Sequence, residues 1–228
     1  MTGPTLALVR HGQTESNVIK ALDSRPPGPP LNELGRAQAE AVADALAVER
    51  VTAVYASTAV RAQQTAAPIA ARHGRRVQVV EGVHEVFCGD LEGRSDLASR
   101  EAFEDVYASW ADGELDRRLP GGESARQLRE RFLPVVARLW RRHAEDGPCG
   151  GLIVLVSHGA AIRLAAGALI GENAETRYVP NSGRVLLAPV PGSSAGPGGW
   201  LLKFWEEGAP APGDATGGAD DRASRHTS

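Results

Sequence analysis

The chain has 228 residues, 42% of them hydrophobic, with 25 basic and 28 acidic side chains and a formal net charge of -3. That length suits one domain able to bury a substantial core, and the near-neutral balance excludes a nucleic-acid partner held by bulk charge. Two cysteines, Cys88 and Cys149, with no CxxC spacing exclude a disulfide framework and a structural zinc site, and point to a reducing, cytoplasmic setting.

No window approaches about 18 consecutive apolar residues, so no transmembrane helix and no membrane partner are expected. The N-terminus has no cationic stretch followed by a long apolar run, so no signal peptide is expected. After residue 205, five acidic residues oppose only Arg222 and Arg225, so the negative charge sits in the tail. From Gly208 the chain is rich in Ala, Pro, Gly and Asp without apolar periodicity, which predicts disorder. Residues 1–207 are left as the domain.

The first element is the apolar run Leu6-Ala7-Leu8-Val9, which suits a strand buried on both faces of a parallel sheet. It stops at Arg10-His11-Gly12, placing a cation and an imidazole at its carboxyl end, where open α/β sheets hold ligands. The glycine there lets backbone and ligand approach closely. Residues 26–30 are four prolines and a glycine, incompatible with helix or central strand. They form either a pocket wall or a surface connector.

Asn32 is a suitable N-cap. Leu34, Ala37, Ala41, Ala45 and Val48 recur at helical spacing, predicting a helix over residues 33–49 with that face buried. Residues 51–56 are the second strand. Ser57 or Thr58 then caps a helix carrying Arg61 in its first turn, and Pro68 should kink or break it. His73-Gly74 ends it, and residues 77–80 form a third strand. The order β, α, β, α, β implies parallel strands with right-handed crossovers. Glu85 lies just beyond the third strand.

Residues 94–122 are the least regular part and read as an insertion or lid over the site. A helix over residues 99–111 carries Phe103, Val106, Tyr107 and Trp110 on one face, a pattern that usually means packing. Ser124 with Gln127 reads as a capping box opening a long helix, which Pro134 bends and Gly147-Pro148 stops. Residues 152–156 (LIVLV) are the most hydrophobic run and the predicted central strand. It ends at Ser157-His158-Gly159, followed by a helix closed by Gly171. Residues 184–190 and 200–205 are two further strands. The whole predicts an α/β fold, a three-layer α/β/α sandwich with a mostly parallel central sheet.

Four strand ends therefore carry polar residues: Arg10 and His11, Arg61, Glu85, and His158. In a parallel sheet these ends share one edge and converge. Two arginines, two histidines and a carboxylate describe a phosphoryl site, since guanidinium groups grip phosphate oxygens bidentately. Helix N-termini after Ser57 and His158 would add backbone N–H donors. There is no Walker loop, no GxGxxG, no HExxH and no GxSxG elbow. Arginines beside the histidines oppose a bound cation, so no metal is expected. His73, His84 and His143 lie outside any motif and are expected to be structural.

LVRHGQTESN, Ser57 and Arg61 followed by Thr65, EVFCGDLEG, the GGES at Gly121 to Ser124, and VSHG together resemble the histidine phosphatase superfamily, over residues 5–205. The resemblance implies that His11 is the nucleophile forming a phosphohistidine. It implies that Arg10, Gly12, Asn17, Arg61, His158 and Gly159 bind the phosphorylated substrate. Glu85 would protonate the leaving oxygen and then deprotonate water. No cofactor or metal is implied. Val86-Phe87-Cys88-Gly89 after Glu85 replaces the Arg-His-Tyr-Gly run of the mutase branch, so the resemblance is to the phosphatase branch. The expected function is hydrolysis of a small phosphorylated metabolite. A phosphoglycerate mutase and a non-catalytic phosphate-binding module are the alternatives. Whether the chain is a monomer or a dimer stays open.

Overall fold

In the computed structural model, which describes residues 3–144, 150–193 and 195–207, the strands form one six-stranded sheet. In chain order they are β1 (Thr5–Arg10), β2 (Val51–Ala56), β3 (Val77–Val79), β4 (Leu152–Ser157), β5 (Arg184–Pro189) and β6 (Trp200–Trp205). Across the sheet the order is β3-β2-β4-β1-β5-β6. β1 to β4 are mutually parallel, β5 runs antiparallel to β1, and β6 antiparallel to β5. β1 and β4 are neighbours, with Arg10 registered against Ser157. The Arg-His-Gly and Ser-His-Gly segments thus leave adjacent strands at one level.

The helices are α1 (Glu15–Val18), α2 (Glu33–Ala45), α3 (Val60–Arg72), α4 (Leu97–Ala111), α5 (Ala125–Ala144) and α6 (Gly159–Ile170). Alternation along the central strands feeds two cores. Leu6, Leu8, Ile153 and Leu155 face Trp110, Phe132 and Ile162 of α4, α5 and α6. Ala7, Val9, Val154 and Val156 face Val42, Ala43, Ala66 and Ile69 of α2 and α3. This is the expected three-layer sandwich around a mostly parallel sheet. Phe103, Val106, Tyr107 and Trp110 pack in or against the first core.

The expected face of α2 is wrong. Leu34 and Val48 are 52% and 90% exposed, whereas Gly35, Ala39, Val42 and Ala43 are buried. In an alanine-rich helix two adjacent stripes look alike by spacing. Close backbone packing decides between them: a Cβ on Gly35 would stand 2.0 Å from the Gln13 carbonyl oxygen. The helix also ends at Ala45 rather than near residue 49.

Asn32 does cap α2, accepting from the Gly35 N–H, and Ser124 with Gln127 forms the expected reciprocal pair. Neither Ser57 nor Thr58 caps α3; the N-cap is Ala59, without a side-chain bond. Ser57 has its hydroxyl elsewhere. α3 also runs through Pro68 without ending. The tail from Gly208 and the Gly147-Pro148 helix stop lie outside the described residues.

Candidate active site

Arg10, His11, Arg61 and His158 are buried at the carboxyl edge of the sheet, with 9%, 5%, 1% and 1% of their surface exposed. The His11 and His158 rings stand 5.1 Å apart, edge to face. Nδ1 of His11 lies 2.8 Å from the Gly12 carbonyl oxygen. A carbonyl only accepts, so Nδ1 carries the proton and Nε2 holds a lone pair. Arg61 Nε donates to that Nε2 at 3.2 Å. Burial, then the charges of Arg61 and Arg10, hold the His11 pKa well below the ordinary value and keep the ring neutral.

The backbone around His11 is fastened from several sides. Its N–H donates to the Ser157 carbonyl, and its carbonyl accepts from Asn181 Nδ2 at 3.0 Å and the Ser182 N–H at 3.2 Å. The Gly12 N–H donates to Thr65 Oγ1, whose hydroxyl donates to the Arg61 carbonyl. Thr65 therefore ties the histidine loop to the helix bearing Arg61. A Cβ on Gly12 would stand 2.4 Å from the Gly35 carbonyl oxygen. That glycine is required by packing against α2, not by approach of a ligand as expected.

The two arginines are held by groups the sequence did not single out. Arg10 Nη1 donates to the Tyr178 hydroxyl at 2.6 Å and to the Val179 carbonyl at 2.8 Å. Arg61 Nη2 donates to the Asp23 carbonyl at 3.0 Å, and its Nη1 stands 3.6 Å from the Asp23 carboxylate. Arg10 Nε is buried without a hydrogen-bond partner among the described residues, which leaves a donor for an incoming anion, whereas Arg61 Nη1, also without one, faces the Asp23 carboxylate. Asn17 Oδ1 accepts from the Thr14 N–H and from Asn181 Nδ2, so only its Nδ2 is able to donate to a ligand.

His158 Nε2 lies 2.7 Å from Ser57 Oγ, and its Nδ1 is buried without a partner. Its pKa is also held well below the ordinary value, by burial first and by Arg61 next. Glu85 accepts three backbone N–H groups: Val86 and Ala161 on Oε1, both at 2.8 Å, and Ala160 on Oε2 at 3.1 Å. The Ala160 and Ala161 N–H groups in the first turn of α6 are thus taken by Glu85, and the Val60 N–H of α3 by the Pro27 carbonyl, so these three are not open to an anion as expected. Arg131 of α5 fixes the Glu85 segment, donating to the carbonyls of Gly82, His84 and Glu85. His84 stacks on Phe87 at 4.5 Å, the structural role expected.

Arg10, His11, Asn17, Glu85 and Gly159 line one pocket of about 170 Å³. Its outer wall includes Lys20, Asp23, Arg100, Phe103, Glu104 and Tyr178. The segment just before the prolines lines it, and α4 contributes Phe103 as well as packing. Glu92 ties the loop down through the Ser24 and Arg25 N–H groups. Sequence reasoning passed over Tyr178 and Asn181, since residues 171–183 have no periodicity. Ser57 was within reach as the first residue after β2, and a polar one. Among the described residues no helix is long and apolar enough to cross a membrane, and no three His, Cys, Asp or Glu side chains cluster as a metal site.

An imidazole lone pair flanked by two buried guanidinium groups at a parallel-sheet edge defines a phosphoryl-binding α/β protein. The chain belongs to the histidine phosphatase superfamily (branch 1), whose family model matches residues 6–183. It is 32% identical over 221 residues to a glucosyl-3-phosphoglycerate phosphatase of Mycolicibacterium vanbaalenii, covering 92% of this chain and 97% of that one. A metal-independent phosphoserine phosphatase of Arabidopsis thaliana is 32% identical over 161 residues, 69% of this chain and 65% of that protein. The native structure of mycobacterial glucosyl-3-phosphoglycerate phosphatase superposes with a TM-score of 0.78 at 27% identity, covering 90% of this chain and 100% of that one.

Proposed function

We propose that the protein is a phosphomonoester hydrolase that acts on a small phosphorylated metabolite through a phosphohistidine at His11. The observation that carries this reading is the state of His11: a neutral ring, its Nδ1 proton held by Gly12, its Nε2 lone pair beside Arg61. A neutral imidazole is what nucleophilic attack requires. Nε2 attacks phosphorus in line, and the ester oxygen leaves with its electron pair. Arg10, Arg61 and His158 offset the charge on the phosphoryl oxygens, which is the main task in this chemistry. Asn17 and Gly159 line the pocket beside Arg10 and His11, and Gly12 serves the site by holding the Nδ1 proton of His11.

Glu85 gives its proton to the leaving oxygen, then removes one from the water that hydrolyses the phosphohistidine. Oε1 takes two N–H bonds and Oε2 one, so Oε2 has the spare lone pair for that proton. A pocket of about 170 Å³ lies below the range of roughly 300–1,000 Å³ typical of drug-sized ligands, which favours a small ester. The family relatives named as phosphatases of glucosyl-3-phosphoglycerate and phosphoserine support the same class. The free, buried Cys88 fits a reducing, cytoplasmic location.

A panel of cellular phosphomonoesters, with trapping of label from a ³²P-ester by an alkaline detergent quench, tests the reading. The expected result is phosphate release and a base-stable, acid-labile phosphoprotein that His11→Ala lacks. Phosphate release unaffected by His11→Ala overturns it. Conversion of 3-phosphoglycerate to 2-phosphoglycerate with the bisphosphate primer, without net hydrolysis, would identify a mutase instead.

A further inference from the structure

Two buried hydroxyls stand behind the two histidines of the site. Thr65 holds the Gly12 peptide, and through it the Nδ1 proton of His11. Ser57 touches His158 directly, at 2.7 Å from Nε2, and both residues are almost wholly buried. Burial beside Arg61 keeps His158 neutral, so one ring nitrogen has a proton and the other does not. Which one decides whether His158 shows the phosphoryl group a donor or a lone pair.

Ser57 Oγ already accepts the Ala59 N–H at 3.3 Å. Among the described residues the only acceptor within reach of its own hydrogen is His158 Nε2. Were the imidazole to donate to Ser57, the hydroxyl hydrogen would be buried with no acceptor. Nδ1, which has no partner, would then turn a lone pair toward the phosphoryl oxygens and repel them. With the hydroxyl donating to Nε2, both hydrogens are placed: one in the Ser57 bond, one on Nδ1, which no protein group takes among the described residues.

We propose that Ser57 is a positioning residue that sets the tautomer of His158, so that Nδ1–H and not a lone pair faces the phosphoryl group. The proposal rests on the reading that His158 holds a phosphoryl oxygen. His11 and His158 then carry their protons on the same ring atom but present opposite atoms to the substrate, Nε2 to attack and Nδ1 to donate. The hydroxyl of a residue after β2 thereby divides the labour between two chemically identical side chains.

Nitrogen-15 NMR of the full-length protein labelled at histidine reads the tautomer directly, with the His158 signals assigned by their loss in His158→Gln. The expected wild-type result is a protonated Nδ1 and an unprotonated Nε2. A proton on Nε2, or an averaged pair, overturns the proposal without any Ser57 variant having to fold. Ser57→Ala should give an averaged pair and lower kcat/KM on the order of 10- to 100-fold, the scale for a weakened oxyanion donor. Ser57→Thr, which keeps the hydroxyl, should restore the Nδ1 tautomer. An unchanged tautomer in a folded Ser57→Ala also overturns it. Titration with inorganic phosphate separates the two readings: it should move the His158 Nδ1 signal. Signals of His158 that ignore phosphate, with the proton still on Nδ1, remove the phosphoryl-binding role of His158 and with it the purpose of the tautomer.

Discussion

Arg61 Nε donates to His11 Nε2 at 3.2 Å, so in the unliganded site the guanidinium covers the ring nitrogen that is free to attack. A phosphoryl group has to take over that donor as it arrives. The same guanidinium holds the Asp23 carbonyl through Nη2, which fixes the plane of the fork.

Arg61→Lys should therefore be a severe change despite conserving charge. An ammonium is a point donor and cannot hold the Asp23 carbonyl and the phosphoryl oxygens in one plane. Loss of about 10²-fold in kcat/KM on p-nitrophenyl phosphate is expected, the scale for removing one preorganised donor. Wild-type kinetics in this variant would take Arg61 out of the phosphate site.

Gly28→Ala should reach the same arginine from behind. A Cβ there would stand 2.1 Å from Arg61 Nη1, and the glycine has φ +62. The arginine tip is the part able to shift, so the methyl displaces it. The expected outcome is a fall in kcat/KM out of proportion to a destabilisation of about 1 kcal/mol from the left-handed backbone. Equal proportional loss of Tm and activity would argue that only folding is affected.

Glu85→Gln should separate esters by leaving group. An alkyl phosphate needs its leaving oxygen protonated, whereas p-nitrophenolate leaves unaided. Loss on the alkyl ester should fall in the range of about 10²–10⁴-fold typical of a general acid, with a much smaller loss on p-nitrophenyl phosphate. Parallel losses on both esters would assign Glu85 to holding the start of α6, where it accepts the Ala160 and Ala161 N–H groups.

Stability should fall on acidification through the histidine range. His11 and His158 both have pKa values well below 6.5 when folded. Below about pH 6.5 the unfolded chain then binds protons that the folded chain does not. Their contribution is present above that pH and is lost as pH falls toward the folded values, at about 1.4 kcal/mol per pH unit for each ring. Thermal melting between pH 7 and pH 5 should show this slope, and His158→Gln should flatten it. A Tm independent of pH in that window would place charged, not neutral, imidazoles in the fold.

Much of the chain was legible because its central strands are uniform. LIVLV has nothing polar to satisfy outside a two-sided core, and it is β4, between β2 and β1. Arg10, His11, Glu85 and His158 were legible because each ends or follows a strand, and parallel strands end on one edge. The buried face of α2 was not legible: with alanine on every side, spacing carries no contrast, and the buried stripe follows from a backbone contact between Gly35 and Gln13.

The order of its strands and the residue types at their ends, written in local hydrophobic patterns, were what the sequence alone determined. The tertiary structure alone decided which atom each residue shows its neighbours. Ser57 suits a helix cap by local rules yet meets His158, 101 positions away. The Ala160 and Ala161 N–H groups of α6 suit an anion yet hold Glu85. Tyr178 and Asn181, in an irregular segment, hold Arg10 and His11. Hydrogen bonds are short-ranged and directional, so their partners are set only when the packed chain brings distant segments within about 3 Å.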